Sequence, residues 1–139
     1  MATLQQAIDQ IVDAAGAVSG IRFAPDEPND QTPTFPALLT FCERGTYRHS
    51  PIGVMTGSHT ILLELHVARR DLARDVAAAM AYAKSIPNAI LNAHKTSALT
   101  AIEEIGEIGY EFGPMTWAGQ DTIGFRFRIQ GVKTQDTIA

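Results

Sequence analysis

Cysteine is almost missing from this chain of 139 residues: Cys42 stands alone. No intrachain disulfide, zinc knuckle or CxxC redox pair can therefore be built. A lone thiol is most often a small buried group, and Cys42 is expected as one, on a strand. Long apolar runs are also lacking, and nothing approaches the ~20 residues that span a bilayer. The start, "MATLQQAIDQIVDAAG", has neither the basic residues nor the continuous apolar stretch of a signal peptide, so assembly in the cytosol is expected. Positive charge is in short supply, with 11 Lys and Arg against 15 Asp and Glu and a formal net charge of -4. That balance argues against a general electrostatic grip on phosphates.

Recognisable chemical motifs are missing as well. There is no GxxxxGK[ST], GxGxxG or GxSxG, so neither a phosphate-cradling loop nor a nucleophile elbow is signalled. His49, His59, His66 and His94 are scattered without HxH or HExxH spacing, and no metal site or other cofactor is expected. Ser58 and His59 are neighbours, but catalytic triads are set by fold geometry and not by adjacency. Glu103, Glu104, Glu107 and Glu111 form an acidic stretch. A carboxylate pair for acid and base work is formally available there, but nothing supplies a pocket, and a solvated face is the plainer reading. No catalytic residue is assigned.

What remains is a balanced globular composition, 45% apolar and 19% charged, in a chain long enough for one domain, residues 1–139. Leu4, Ile8, Ile11, Val12, Ala15 and Val18 repeat at the spacing of one helical face, with Thr3 as N-cap and Gly20 as stop. Gly20 to Thr34 is rich in Pro, Asp and Asn and reads as an exposed connection with a short extended piece at Ile21 to Phe23. "FPALLTFCERG" reads as a strand opened by Pro36, and Glu43 to Gly57 as a long polar loop. "HTILLELHVARR" alternates Ile61, Leu63, Leu65 and Val67 against Leu62, Glu64 and His66, a strand with one buried face. A helix from Asp71 to Lys84 follows; Pro87 breaks it and opens a short helical turn through Leu91.

The last third reads as two strands, Leu99 to Phe112 and Thr122 to Gly131, around a Gly, Pro and Trp loop. Ile102, Ile105 and Ile108 recur every three residues and would also suit a helix; two glycines and the lack of caps favour an irregular strand. The fold class implied is α+β: an antiparallel, roughly four-stranded sheet with two main helices and a short one on one face. Lys133 to Ala139 are polar and terminal, and are expected to order only on contact with a partner.

"IGFRFRIQ", Ile123 to Gln130, interleaves aromatics with arginines, as single-stranded nucleic-acid readers do. Ile123 stands where the RNA-recognition strand has a basic residue, and Arg126 where it has a small one. Four apolar side chains, Ile123, Phe125, Phe127 and Ile129, share one face, which fits a core. Arg126 and Arg128 then point to the other side, with Leu62, Glu64 and His66 on the neighbouring strand. Two readings of that face stay open: a solvated surface with an Arg to Glu64 ion pair, or a subunit interface that covers an exposed Leu62.

The order of these segments, with "FPALL", "ILLELHVARRDLARDV", "IPNAIL" and "GFRFRIQG", resembles the tail terminator (tail completion, minor tail) proteins of long-tailed bacteriophages over Leu4 to about Val132. The resemblance implies a virion structural protein and not an enzyme. Such a protein forms a ring, usually a hexamer, on the finished tail tube, stops its growth and presents a surface to the head connector. Its implied partners are copies of itself, the tube protein and the connector or head-completion protein. DNA passes through the lumen without specific binding, and no membrane is involved. Arg48 and His49, in the loop from Glu43 to Gly57, are expected to reach the tube or a neighbouring subunit. Arg126 and Arg128, with Glu64 and Leu62, form one expected ring patch, and the acidic stretch carrying Glu103 and Glu107 the complementary one. A neck protein of the same junction and a small α+β ligand-binding domain or enzyme are the other readings.

Overall fold

The computed structural model describes residues 3–25, 34–49 and 52–138. The N-terminal apolar stripe forms helix α1, Leu4–Gly16. Thr3 Oγ1 accepts the Gln6 N–H at 3.2 Å and Gln6 Oε1 accepts the Thr3 N–H at 2.8 Å, a reciprocal box that satisfies two otherwise orphaned donors. The helix stops at Gly16, one turn before the expected Gly20; Gly20 instead turns the chain at φ +97°, close under the Tyr82 hydroxyl. The extended piece at Ile21 to Phe23 is present, with Phe23 bridging Ala37 in parallel. The centre of the expected connection, residues 26–33, lies outside the described residues.

Four strands follow: β1, Ala37–His49; β2, Val54–Ala68; β3, Glu107–Trp117; and β4, Gln120–Thr137. They form one antiparallel sheet in the order β1-β2-β4-β3. Helices α2, Leu72–Met80, and α3, Tyr82–Lys95, lie with α1 on one face, so the fold is the α+β arrangement expected. Ile61, Leu63, Leu65, Phe125, Phe127 and Ile129 are fully buried beneath Ile8, Ile11, Val12, Ile86 and Ile90. Each such side chain contributes about 1.5–3 kcal/mol by leaving water. The apolar half of "IGFRFRIQ" is core.

Four expectations about local structure are corrected. Pro87 does not end the second helix but sits inside α3; the helical break falls instead at Ala81, between α2 and α3. A proline ring obstructs the carbonyl four residues earlier, here that of Ala83, so the deformation lies N-terminal to the proline itself. The expected loop from Glu43 to Gly57 is mostly strand, since β1 runs on to His49 and β2 starts at Val54. The Gly, Pro and Trp loop is also strand, and β3 turns into β4 only at Ala118 and Gly119; before it, residues 99–106 stay irregular. The terminal segment is paired, with Lys133 to Thr137 opposite Ser58 to Val54.

The second and fourth corrections share one cause. Beyond the helix-covered core, β1, β2 and β4 continue together as a three-stranded arm. The arm is held by its backbone ladders and by few apolar side chains, so its sequence carries no two-residue apolar rhythm. Two bulges mark its base: Glu43 is the extra residue of β1, and Gln130 with Gly131, at φ +66°, faces Thr60 alone. Bulges at one level bend a sheet and increase its twist.

Candidate functional site

The sheet face away from the helices carries the polar groups. Across it run three rows of paired residues: Phe41, Leu62, Arg128 and Gly109; Leu39, Glu64, Arg126 and Glu111; Ala37, His66, Gly124 and Gly113. The expected ion pair exists, with Arg126 Nε 3.2 Å from Glu64 Oε2. Glu64 Oε1 lies 3.0 Å from His66 Nε2, and His66 Nδ1 lies 2.7 Å from Thr122 Oγ1. Burial pushes the Glu64 carboxyl up, but the hydrogen bonds and positive charge of His66 and Arg126 outweigh it and leave the group below its ordinary value.

Arg128 ties three strands together, with Nε 3.1 Å from Glu43 on β1 and Nη1 3.1 Å from Glu111 on β3. Strand β2 lies between β1 and β4, so the bond to Glu43 arches over β2 where Leu62 sits. That is why Leu62, expected exposed, is only 6% accessible in the single chain; it needs no subunit to cover it. His66, also placed on the open face by its period, is fully buried because Trp117 packs edge-on against it at 5.0 Å and stacks on Phe23 at 5.9 Å.

Glu64, His66 and Thr122 have the connectivity of a carboxylate, imidazole and hydroxyl triad. Thr122 has no exposed surface, so no carbonyl can approach its Oγ1 in this arrangement. The chain of bonds orients buried polar groups that would otherwise be unsatisfied. The triplet was invisible in sequence because Thr122 is 56 residues from His66.

The arm holds a second buried histidine. His59 Nε2 is 3.1 Å from Thr134 Oγ1, Tyr47 meets its ring edge-on at 5.2 Å, and burial lowers its pKa. A Cβ on Gly45 or Gly57 would collide with that ring. These glycines, which resemble loop punctuation in sequence, are there to admit His59. Cys42 is half-buried; Sγ donates to the Arg44 carbonyl at 3.4 Å, and burial raises the thiol pKa. At the other end of β2, Asp75 accepts the Arg70 and Asp71 N–H groups at 2.6 and 2.8 Å, and those two bonds hold its carboxyl below the ordinary value.

Among the described residues no group of three or more His, Cys, Asp or Glu is placed to hold a metal ion, and no helix is long and apolar enough to cross a membrane. A cleft of about 240 Å³ opens between α1 and the end of α3, lined by Gln10, Asp13, Ala14, Ala93, Ala98 and Leu99. It is smaller than most ligand sites and has a single carboxylate.

The structure thus brings Arg126, Arg128, Glu64 and Leu62 together on one face. Arg48 and His49 are exposed on the arm, and Glu103 and Glu107 are exposed at the opposite border of the sheet. The acidic stretch and the arginine face already meet within the chain, through Arg128 and Glu111. Arg44, which the sequence did not single out, is exposed on β1 beside the expected Arg48, and neither forms an ion pair among the described residues. No protein-family model matches the chain, and no curated protein matches it.

Proposed function

We propose that this protein is a structural subunit that assembles with copies of itself into a ring, acting as the tail terminator of a long-tailed bacteriophage. The observation that carries this reading is the arm: a strand-built projection, solvent-exposed along β1 from Glu43 to His49, mounted on a rigid helix-backed sheet. Exposed strands of that length are costly to leave unpaired and are normally blunted or covered. A self-assembling subunit has a use for them, and a small soluble enzyme does not.

The polar face supports the same reading. The charged groups at its centre, Glu64, Arg126 and Arg128, are neutralised inside the chain and its triad-like cluster is sealed, so the chemistry at the centre of that face serves rigidity. Ring formation on the tube, arrest of tube growth and presentation of a surface to the head connector follow from the resemblance and belong to this proposal.

The test is tube polymerisation in vitro. Tail-tube subunits are allowed to polymerise with and without the protein, and tube length is measured by electron microscopy beside native mass spectrometry of the protein alone. Capped tubes ending in a ring are expected. Unaltered tube growth together with a protein that stays monomeric or dimeric would overturn the reading; binding to the connector but not to the tube would point to a neck protein instead.

A further inference from the structure

We infer that the two free edges of the sheet are the two halves of one interface, in which β3 of one copy pairs with the arm part of β1 of the next. The inference rests on the ring reading and specifies how its subunits join. Beyond Leu38, β1 has no partner on its outer side among the described residues, and neither does β3. Four consecutive antiparallel neighbours make β1 and β3 run in opposite directions. A rotation that carries one copy onto the next therefore lays β3 beside β1 antiparallel, and the alternation of the sheet continues unbroken.

Charge and spacing agree with this. Arg44 and Arg48 lie opposite Thr60 and Thr56, and Glu107 and Glu111 lie opposite Gln130 and Arg126. By the two-residue period all four project from the sheet side away from the helices. Each pair is separated by four residues, about 13 Å along a strand. An antiparallel register that sets Arg44 against Glu111 sets Arg48 against Glu107. Glu107 has no ion pair among the described residues, and Glu111 gives Arg128 only Oε1.

The same register sets Gly45 against Tyr110 and Tyr47 against Ile108 on the helix side. Tyr110 and Tyr47 are 58% and 51% exposed. Gly45 offers Tyr110 no opposing side chain, and Tyr47 gains an apolar neighbour. A symmetric alternative is disfavoured: pairing β1 with a second β1 places Arg44 against Arg48, and pairing β3 with β3 places Glu107 against Glu111, like charges directly opposed. Two different edges meeting head to tail give a closed ring when the rotation closes.

Cysteines test the register. Thr46 falls opposite Gly109, and a side chain at Gly109 meets nothing within 4 Å. The double variant Thr46→Cys with Gly109→Cys, mildly oxidised, is expected to give a ladder of covalent multimers on a denaturing gel, with neither single variant cross-linking. Arg48→Glu is expected to weaken assembly roughly tenfold or more by native mass spectrometry. Arg48→Glu combined with Glu107→Arg is expected to restore it, with melting temperature unchanged as the control for folding. Dimers from Thr46→Cys alone would overturn the inference in favour of a symmetric pair. Rings that form normally while the double variant fails to cross-link and Arg48→Glu assembles unimpaired would overturn it and leave the ring reading standing. A wild-type protein that stays monomeric even on tail tubes would remove both.

Discussion

Glu64 and His66 are two residues apart on β2 and share a carboxylate to imidazole contact of 3.0 Å on the sheet side where the sequence suggests solvent. His66 is fully buried and Glu64 partly buried. Removing the carboxylate leaves a buried imidazole and Arg126 without their acceptor. Glu64→Leu is expected to lower stability by about 1.5–3 kcal/mol at neutral pH, the usual worth of hydrogen bonds to a charged group, as measured by urea unfolding. The Glu64 carboxyl is depressed in the folded protein. Its contribution is therefore fully present above the unfolded value of about 4.3 and lost as pH falls through the folded value. The gap between wild type and Glu64→Leu should be constant near neutrality and shrink below about pH 4; a gap that widened in acid would refute the assignment.

His59 gives the opposite ionisation on the same side of neutrality. It is buried neutral and its pKa is lowered, so folding favours the unprotonated ring. The stability this supplies is present above the unfolded value of about 6.5 and is lost as pH falls toward the folded value. NMR titration should place the His59 midpoint below the ordinary histidine value of about 6.5. A His59 midpoint at or above the ordinary value would show that the ring is solvated.

Glycine substitutions should separate close approach from loop character. A Cβ at Gly124 would fall on the Leu65 carbonyl, while at Gly109 and Gly113 it meets nothing within 4 Å. Gly124→Ala is expected to cost more than about 4 kcal/mol or to prevent folding. Gly113→Ala should change stability by less than about 1 kcal/mol, because lost chain entropy in the unfolded state helps and no clash opposes it. Thermal melts of the two variants side by side decide the matter.

Deleting Lys133 to Ala139 removes the third strand of the arm. A two-stranded hairpin is only marginally stable in water, so the alternate amides of Val54 to Ser58 that bond to that strand should lose their protection in hydrogen exchange. Protection at Leu63 and Phe127 in the core should persist. Unchanged protection in the arm would mean that β1 and β2 hold it alone.

How much of this was legible depended on the source of each element's stability. α1 and the core halves of β2 and β4 are stabilised by apolar burial, which leaves a rhythm in the sequence. Ile61, Leu63, Leu65, Phe125 and Phe127 therefore declared both their strands and their buried face. The arm is stabilised by backbone pairing. Thr56, Ser58, Gly45 and Gly57 have no such rhythm, and their glycines imitate turns. The polar face was half legible: alternation placed Arg126 beside Glu64, but the burial of Leu62 and His66 depends on Glu43, Arg128, Phe23 and Trp117, brought over them from distant strands.

The amino-acid sequence by itself determined the class of the fold, the capped first helix, the apolar face of the central strands and the absence of recognisable catalytic motifs, because each is a matter of local spacing and residue type. Only the tertiary structure decided that the outer arginines are held within the chain, that two histidines are sealed in, and that Arg44 and Arg48 border one side of the sheet while Glu107 and Glu111 border the other. Strand order and register place those residues, and both are set by the packing of the whole sheet, not by any one segment.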